Sequence, residues 1–307
     1  MNQSFTALGV SQGRLAFKNP VLLASGCASF GEPFEDFFDI ASVGALITKA
    51  ITREPREGNA SPRICETPCG MLNSIGLQNP GMEAFAQEIL PQLRERGVTT
   101  IVNVAGGSEE DYEAVLTRLK DEPGISAFEV NLSCPNVEDG LIFGTSAVAF
   151  GRICERLRRV TELPLIPKLS PDAGNLVPYA KIAWGAGMDG VTVANTWSAM
   201  AIDWRSGKSK LAKPTGGLSG PALKPLTLAR VAATADAVPE LPILASGGAV
   251  TATDVIEFIR AGALAVELGT ILFHDPTRPK KILEELPALL SEVGGESMQE
   301  LRNTLSA

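Results

Sequence analysis

The chain has 307 residues, 45% hydrophobic and 20% charged, the balance of an ordinary globular protein. A formal net charge of −8 argues against nucleic acid as the main partner. No run approaches the ~18 apolar residues a membrane span requires, and Met1 to Thr6 lacks the basic-then-apolar pattern of a secretory leader, so a cytoplasmic protein without a membrane partner is expected.

Short β-type runs recur along the chain with helical patterns between them. The predicted strands are Val21–Ala24, Ala45–Thr48, Thr100–Val102, Ala127–Val130, Leu165–Pro167, Gly190–Val193, Pro242–Ala245 and Leu264–Leu268. After the second strand, Met82, Phe85, Ala86, Ile89 and Leu93 share one helical face; after the third, Tyr112, Val115, Leu116 and Leu119 follow the same rule, with Ser108 and Asp111 placed as a cap. Further helices are predicted at Ser146–Leu163, Leu176–Ala186, Leu223–Ala237, Ala252–Ala261 and Pro279–Val293. Eight apolar strands alternating with helices predict a (β/α)8 barrel of parallel strands, spanning residues 1–307 as one domain. A doubly wound open sheet is the competing architecture.

A barrel gathers its chemistry where the strands end. Here the ends read Ser25-Gly26, Lys49, Asn103, Asn131, Lys168, Asn195-Thr196, Ser246-Gly247-Gly248 and Gly269-Thr270. Asn and Gly are ordinary turn residues, so no one position is informative; the concentration at one face is. Glycines after the seventh and eighth strands, and Gly216 to Gly220 ahead of another helix, suit a phosphate-bearing cofactor held by bare backbone N–H groups. No G-x-G-x-x-G follows the first strand, so a Rossmann dinucleotide site is not predicted. The fourth strand runs into Asn131, Ser133, Cys134 and Asn136, with Pro135 barring regular continuation. The bland alternative there is a buried thiol beside turn residues. The long connection after the second strand carries Asn73, Ser74 and Gly76, suited to hydrogen-bonding a polar ring or to a simple turn.

The five cysteines (Cys27, Cys65, Cys69, Cys134 and Cys154) are odd in number and scattered, which fits reduced thiols. His274 is the single histidine, so neither a His-based triad nor a multi-His metal site is predicted, and no cysteine cluster could hold an iron–sulfur centre.

Side by side, these segments resemble the dihydroorotate dehydrogenase family. The residues that carry the resemblance are Asn-Pro-Val-Leu-Leu-Ala-Ser-Gly (19–26), Thr-Lys-Ala-Ile-Thr-Arg-Glu-Pro-Arg (48–56), Asn-Ser-Ile-Gly-Leu-Gln-Asn-Pro-Gly (73–81), Asn-Leu-Ser-Cys-Pro-Asn-Val (131–137), Pro-Lys-Leu-Ser-Pro (167–171), Asn-Thr (195–196), Met-Ala-Ile-Asp (200–203) and Gly-Gly-Leu-Ser-Gly-Pro-Ala (216–222). The resemblance implies one FMN per chain and oxidation of dihydroorotate to orotate in pyrimidine synthesis. It implies that Cys134 is the general base and that Lys168 stabilises the anionic reduced ring, both as catalytic residues. Substrate would be bound by Lys49, Asn73, Ser74, Ile75, Gly76, Leu77, Asn131, Asn136, Asn195 and Thr196. FMN would be held by Ser25, Gly26, Lys49, Ala50, Asn103, Asn131, Lys168, Ala194, Gly220, Gly247, Gly248, Gly269 and Thr270, with Pro135 to Gly144 as a lid. Membrane-associated relatives have serine at the base position; this chain has Cys134. Ile51 departs from the family, which often has a small hydroxyl residue there. The 73–81 segment is most similar to the NAD-linked class, which implies a homodimer core joined to an electron-transfer subunit carrying FAD and [2Fe–2S]. A fumarate-dependent homodimeric enzyme and a dihydropyrimidine dehydrogenase-like oxidoreductase are the alternatives.

Overall fold

The computed structural model describes residues 7–132 and 140–306. All eight predicted strands are present, with ends shifted by at most two residues: β1 (Val21–Leu23), β2 (Ala45–Ile47), β3 (Thr100–Val104), β4 (Ile125–Asn131), β5 (Leu165–Lys168), β6 (Val191–Val193), β7 (Ile243–Ser246) and β8 (Ala265–Leu268). Each pairs in parallel with the next, and β8 returns to β1 through Val266↔Val21, Glu267↔Leu22 and Leu268↔Leu23, which closes the barrel. An open doubly wound sheet is thereby excluded. Strands such as β1, β2, β6 and β8 are buried throughout because the interior fills one face and the helices cover the other. That double burial is why their sequences are continuous apolar runs without polar alternation.

The helices follow the apolar spacing of the sequence. Ser108 accepts a hydrogen bond from Asp111 N and caps the helix Glu109–Leu119, whose three acidic first-turn residues meet the positive end of its dipole. Tyr112, Val115, Leu116 and Leu119 are its buried face, as predicted. The helical face from Met82 to Leu93 spans an α turn, a π turn at Phe85–Ile89 and a second α segment at Leu90–Glu95. The widened turn is followed directly by Pro91, which has no N–H to offer the ladder. The helix expected at Ser146–Leu163 is shorter: Ser146 is its cap and it spans Ala147–Arg158, after which Arg158 donates to the Leu163 carbonyl. Among the described residues no helix is long and apolar enough to cross a membrane.

Two antiparallel sheets were not foreseen. A hairpin of Val10–Gln12 and Leu15–Phe17 buries Val10, Leu15 and Phe17, with Leu15 packed against Gly190 just before β6. It therefore plugs the amino-terminal end of the barrel. At the opposite end, Ile64–Thr67, Gly70–Asn73, Gly216–Ser219 and Trp197–Ala199 form a four-stranded sheet. Both the long connection after β2 and the Gly216–Gly220 segment, read as loops, contribute strands to it. This sheet roofs one side of the carboxyl-terminal face and brings Asn73 to Gly217 across 144 residues of sequence.

Candidate active site

Between the strand ends and the roofing sheet lies a cavity of about 850 Å³. Its walls include Ser25 and Gly26 after β1, Lys49 and Ala50 after β2, Asn103 on β3, Asn131 on β4, Lys168 on β5, and Ala194, Asn195 and Thr196 after β6. They also include Asn73, Ser74, Ile75, Gly76 and Leu77 from the connection after β2, and Gly220, Gly247, Gly248, Gly269 and Thr270 from the glycine segments. Every predicted site residue that the structure describes thus lines one space. Cys134 and Asn136 lie outside the described residues, as does the part of the predicted lid from Pro135 to Asp139; Gly140–Thr145 is a helix. Ile51, the residue that departs from the family pattern, is buried and bridges in parallel to Val104.

The polar groups of this face are held by one another. Asn195 Nδ2 donates to Asn131 Oδ1 at 3.1 Å, and Thr196 N donates to Asn195 Oδ1 at 2.8 Å. Tyr112 reaches from the neighbouring helix to donate to the Asn131 carbonyl at 2.7 Å, which fixes the end of β4. Asn73 Nδ2 donates to the Gly217 carbonyl at 3.2 Å, and Ser74 accepts from Asn59 at 3.0 Å. Burial, then the positive charge of Arg63, push the Lys49 ammonium below its usual pKa.

Beneath them the floor is charged. Lys168 Nζ lies 3.2 Å from Glu129 Oε1 and 3.2 Å from Glu267 Oε2, and all three side chains are buried. Burial opposes the Lys168 charge, but the two carboxyls outweigh it and hold the amine above its ordinary pKa. Lys168 is therefore an ammonium at neutral pH. Asn103 Nδ2 donates to Glu129 at 2.6 Å, while Asn103 Oδ1 finds no hydrogen-bond partner among the described residues. A buried carbonyl left without a donor beside a cavity fits a ligand that carries an N–H or O–H there.

On the β7–β8 side the wall is backbone. Gly248 has φ +90°, and a Cβ on it would lie 2.3 Å from Lys224 N, so only glycine fits. Gly26, at φ +81°, has no neighbour within 4 Å of a built Cβ, which leaves cavity space that a side chain would fill. The loop shape is fixed from behind. Thr251 and Asp254 form a capping box on the helix Ala252–Arg260, and Asp254 also accepts from Val250 N at 2.8 Å and from Lys224 Nζ at 2.6 Å. Thr270 Oγ1 donates to Ser219 Oγ at 2.7 Å, which ties the β8 end to the roof.

Glu129, Glu267, Thr192 and Cys27 were missed by sequence reading. The two glutamates sit inside apolar runs, Phe128-Glu129-Val130 and Val266-Glu267-Leu268, and that was the available signal: a carboxyl in a doubly buried strand needs a partner.

The family model described as "Dihydroorotate dehydrogenase" matches residues 8–290 of this chain. The chain belongs to the dihydroorotate dehydrogenase family. Proteins named "Dihydroorotate dehydrogenase B (NAD(+)), catalytic subunit" from Bacillus thuringiensis (strain Al Hakam), Bacillus mycoides (strain KBAB4) and Bacillus cereus (strain AH187) are each 46% identical to it over 287 residues, covering 93% of this chain and 93% of the relative. The dihydroorotate dehydrogenase match takes in every strand of the barrel and every segment that lines the cavity.

Proposed function

We propose that this chain is the catalytic subunit of an NAD-linked dihydroorotate dehydrogenase, oxidising (S)-dihydroorotate to orotate in pyrimidine biosynthesis in the cytoplasm. The observation that carries the reading is the convergence of Lys49, Asn73, Asn131, Lys168, Asn195 and Thr196 on one cavity at the carboxyl ends of the barrel strands. Such a set suits a flat, amide-rich, anionic ring: asparagines both donate and accept, and two amines balance the charge.

One FMN per chain is part of this reading. The cavity is of the size that takes a drug-sized ligand, Asn103 Oδ1 offers an acceptor, and the glycine wall after β7 and β8 presents bare N–H groups of the kind that bind phosphate. In this assignment Ser25, Gly26, Ala50, Asn103, Lys168, Ala194, Gly220, Gly247, Gly248, Gly269 and Thr270 hold the cofactor, and Lys49 and Asn131 serve both it and the substrate. Bound FMN supplies the hydride acceptor.

The chain's own residues do the rest. Cys134 Sγ takes the proton from C5 of dihydroorotate, a task for which its thiol must ionise near neutral pH. Asn131 and Asn195, locked to each other, orient the ring without needing to reorganise. Asn73, Asn136, Thr196, Ser74 and the backbone from Ile75 to Leu77 complete its hydrogen bonds. Lys168 brings a fixed positive charge to the edge where negative charge accumulates. Electrons then leave for a separate subunit carrying FAD and [2Fe–2S], in an assembly of two catalytic and two electron-transfer chains. The relatives' printed name, a catalytic subunit using NAD(+), supports that partner.

Steady-state orotate formation tests the reading. FMN-loaded chain supplied with the electron-transfer subunit and NAD should turn over, and fumarate should not replace them. Turnover with fumarate and no partner would move the chain to the homodimeric class; no orotate under either condition would refute the activity.

A further inference from the structure

The cavity floor holds more ionisable groups than the proposed reaction uses. Lys168 and Glu267 both line the cavity, and Glu129 lies directly behind them. Two buried carboxylates facing one ammonium leave a negative charge uncompensated in a medium that solvates it poorly. A carboxyl in that position takes up a proton instead.

The hydrogen bonds identify which one. Glu129 accepts from Asn103 Nδ2 at 2.6 Å, from Thr192 Oγ1 at 2.7 Å and from Lys168 Nζ at 3.2 Å. These three donors occupy the Glu129 oxygens as acceptors. The Thr192 hydroxyl has a single proton, and that proton goes to Glu129. Its oxygen also lies 3.3 Å from Glu267 Oε1. That contact becomes a hydrogen bond when Glu267 is the donor, so the geometry puts the proton on Glu267. Burial and the neighbouring Glu129 push Glu267 up to about 8, against the pull of Lys168 and a hydrogen bond from Ser246. Cys27 is the remaining titratable group beside this carboxyl; burial pushes its thiol up to about 11, so it stays neutral.

We propose that Glu267 is a redox-linked proton site: it keeps its proton while the bound cofactor ring is reduced and releases it to solvent in mildly alkaline conditions when the ring is oxidised. Reduction puts negative charge into the cavity that Glu267 lines, and a nearby negative charge strengthens the hold of a carboxyl on its proton. The release breaks one carboxyl O–H bond and moves no electrons. The electron pair comes from dihydroorotate and leaves for the acceptor, so the step adds one proton to the cycle and alters nothing else. It rests on the FMN reading above.

The test is an anaerobic redox titration of the FMN-loaded chain from about pH 7 to about pH 10, comparing wild type with Glu267→Gln. Glutamine keeps the shape and the donor to Thr192 but cannot titrate. The wild-type midpoint potential should fall twice as steeply with pH in the alkaline range as near neutrality, because reduction then binds two protons per electron pair. The variant should keep the single, shallow slope throughout. Equal slopes in the two proteins would overturn the proposal. Infrared spectra of wild type without cofactor give a second reading that needs no variant: a carboxylic acid carbonyl band present near pH 7 and lost on alkalinisation is expected, and its absence near pH 7 would equally overturn it. A chain that takes up no FMN would refute the cofactor assignment and this inference together, whereas bound FMN with equal slopes would refute this inference alone.

Discussion

Asp254→Asn probes the junction that shapes the glycine wall. Asp254 Oδ2 accepts from Val250 N and Thr251 N, each at 2.8 Å, and Oδ1 takes Lys224 Nζ at 2.6 Å. Asparagine preserves the first two contacts through its one carbonyl oxygen but turns an NH2 group towards the ammonium. A hydrogen bond between charged partners contributes ~1.5–3 kcal/mol. The Lys224 side chain is 27% exposed, so water screens part of this and the low end applies, about 1.5–2 kcal/mol of stability. The pH dependence has a definite sign. Burial opposes ionisation of Asp254, but the bonds from Lys224, Thr251 and Val250 prevail and hold its carboxyl below the usual value of 3.8. A depressed carboxyl stabilises the fold in full above its unfolded pKa, and that contribution disappears as pH falls through the lower folded value. Urea unfolding of the cofactor-free protein should therefore show the variant less stable by about 1.5–2 kcal/mol near pH 7, with the gap narrowing as pH falls below the ordinary carboxyl value of 3.8. Because Gly247 and Gly248 are anchored through this junction, FMN affinity should also fall about tenfold, or ~1.4 kcal/mol. A stability gap of equal size near pH 7 and below 3.8 would refute the charge-pair reasoning.

Gly248→Ala places a methyl group 2.3 Å from Lys224 N at a backbone φ of +90°, so the loop must move; the variant should fold but retain little FMN after gel filtration. Cys134→Ser should bind FMN normally and lose about 10²-fold or more in rate near pH 7, since an alcohol does not ionise there; stopped-flow reduction by dihydroorotate measures this. Lys168→Met removes the ammonium from between Glu129 and Glu267 and should cost about 3 kcal/mol in urea unfolding. That cost should grow as pH rises through about 8, where Glu267, held up by burial and the neighbouring Glu129, loses the option of staying neutral.

The barrel was legible because burial on both faces makes each strand a short, continuous apolar run, and these runs occur at regular intervals between helical patterns. The same logic exposed the site: polar residues at Asn103, Asn131 and Lys168 emerge from the ends of runs that are otherwise mostly apolar. The roofing sheet was not legible. Its strands are three or four residues long, half-buried, and in one case Gly216-Gly217-Leu218-Ser219, which carries turn-like composition into a strand. They exist because Gly217 pairs with Asn73 and Leu218 with Leu72, contacts between segments far apart in the chain that no local pattern encodes. Glu129 and Glu267 were hidden for a related reason. Each is one charged residue in an apolar strand, and their shared role appears when closure of the barrel places β4, β5 and β8 around a common interior.

Dihydroorotate should reduce FMN bound in this cavity. The most direct test is an anaerobic titration of the purified, FMN-loaded chain with dihydroorotate, following the visible flavin absorbance. Bleaching should be complete at one dihydroorotate per FMN, with orotate released in equal amount. A yellow protein that dihydroorotate fails to bleach would contradict it.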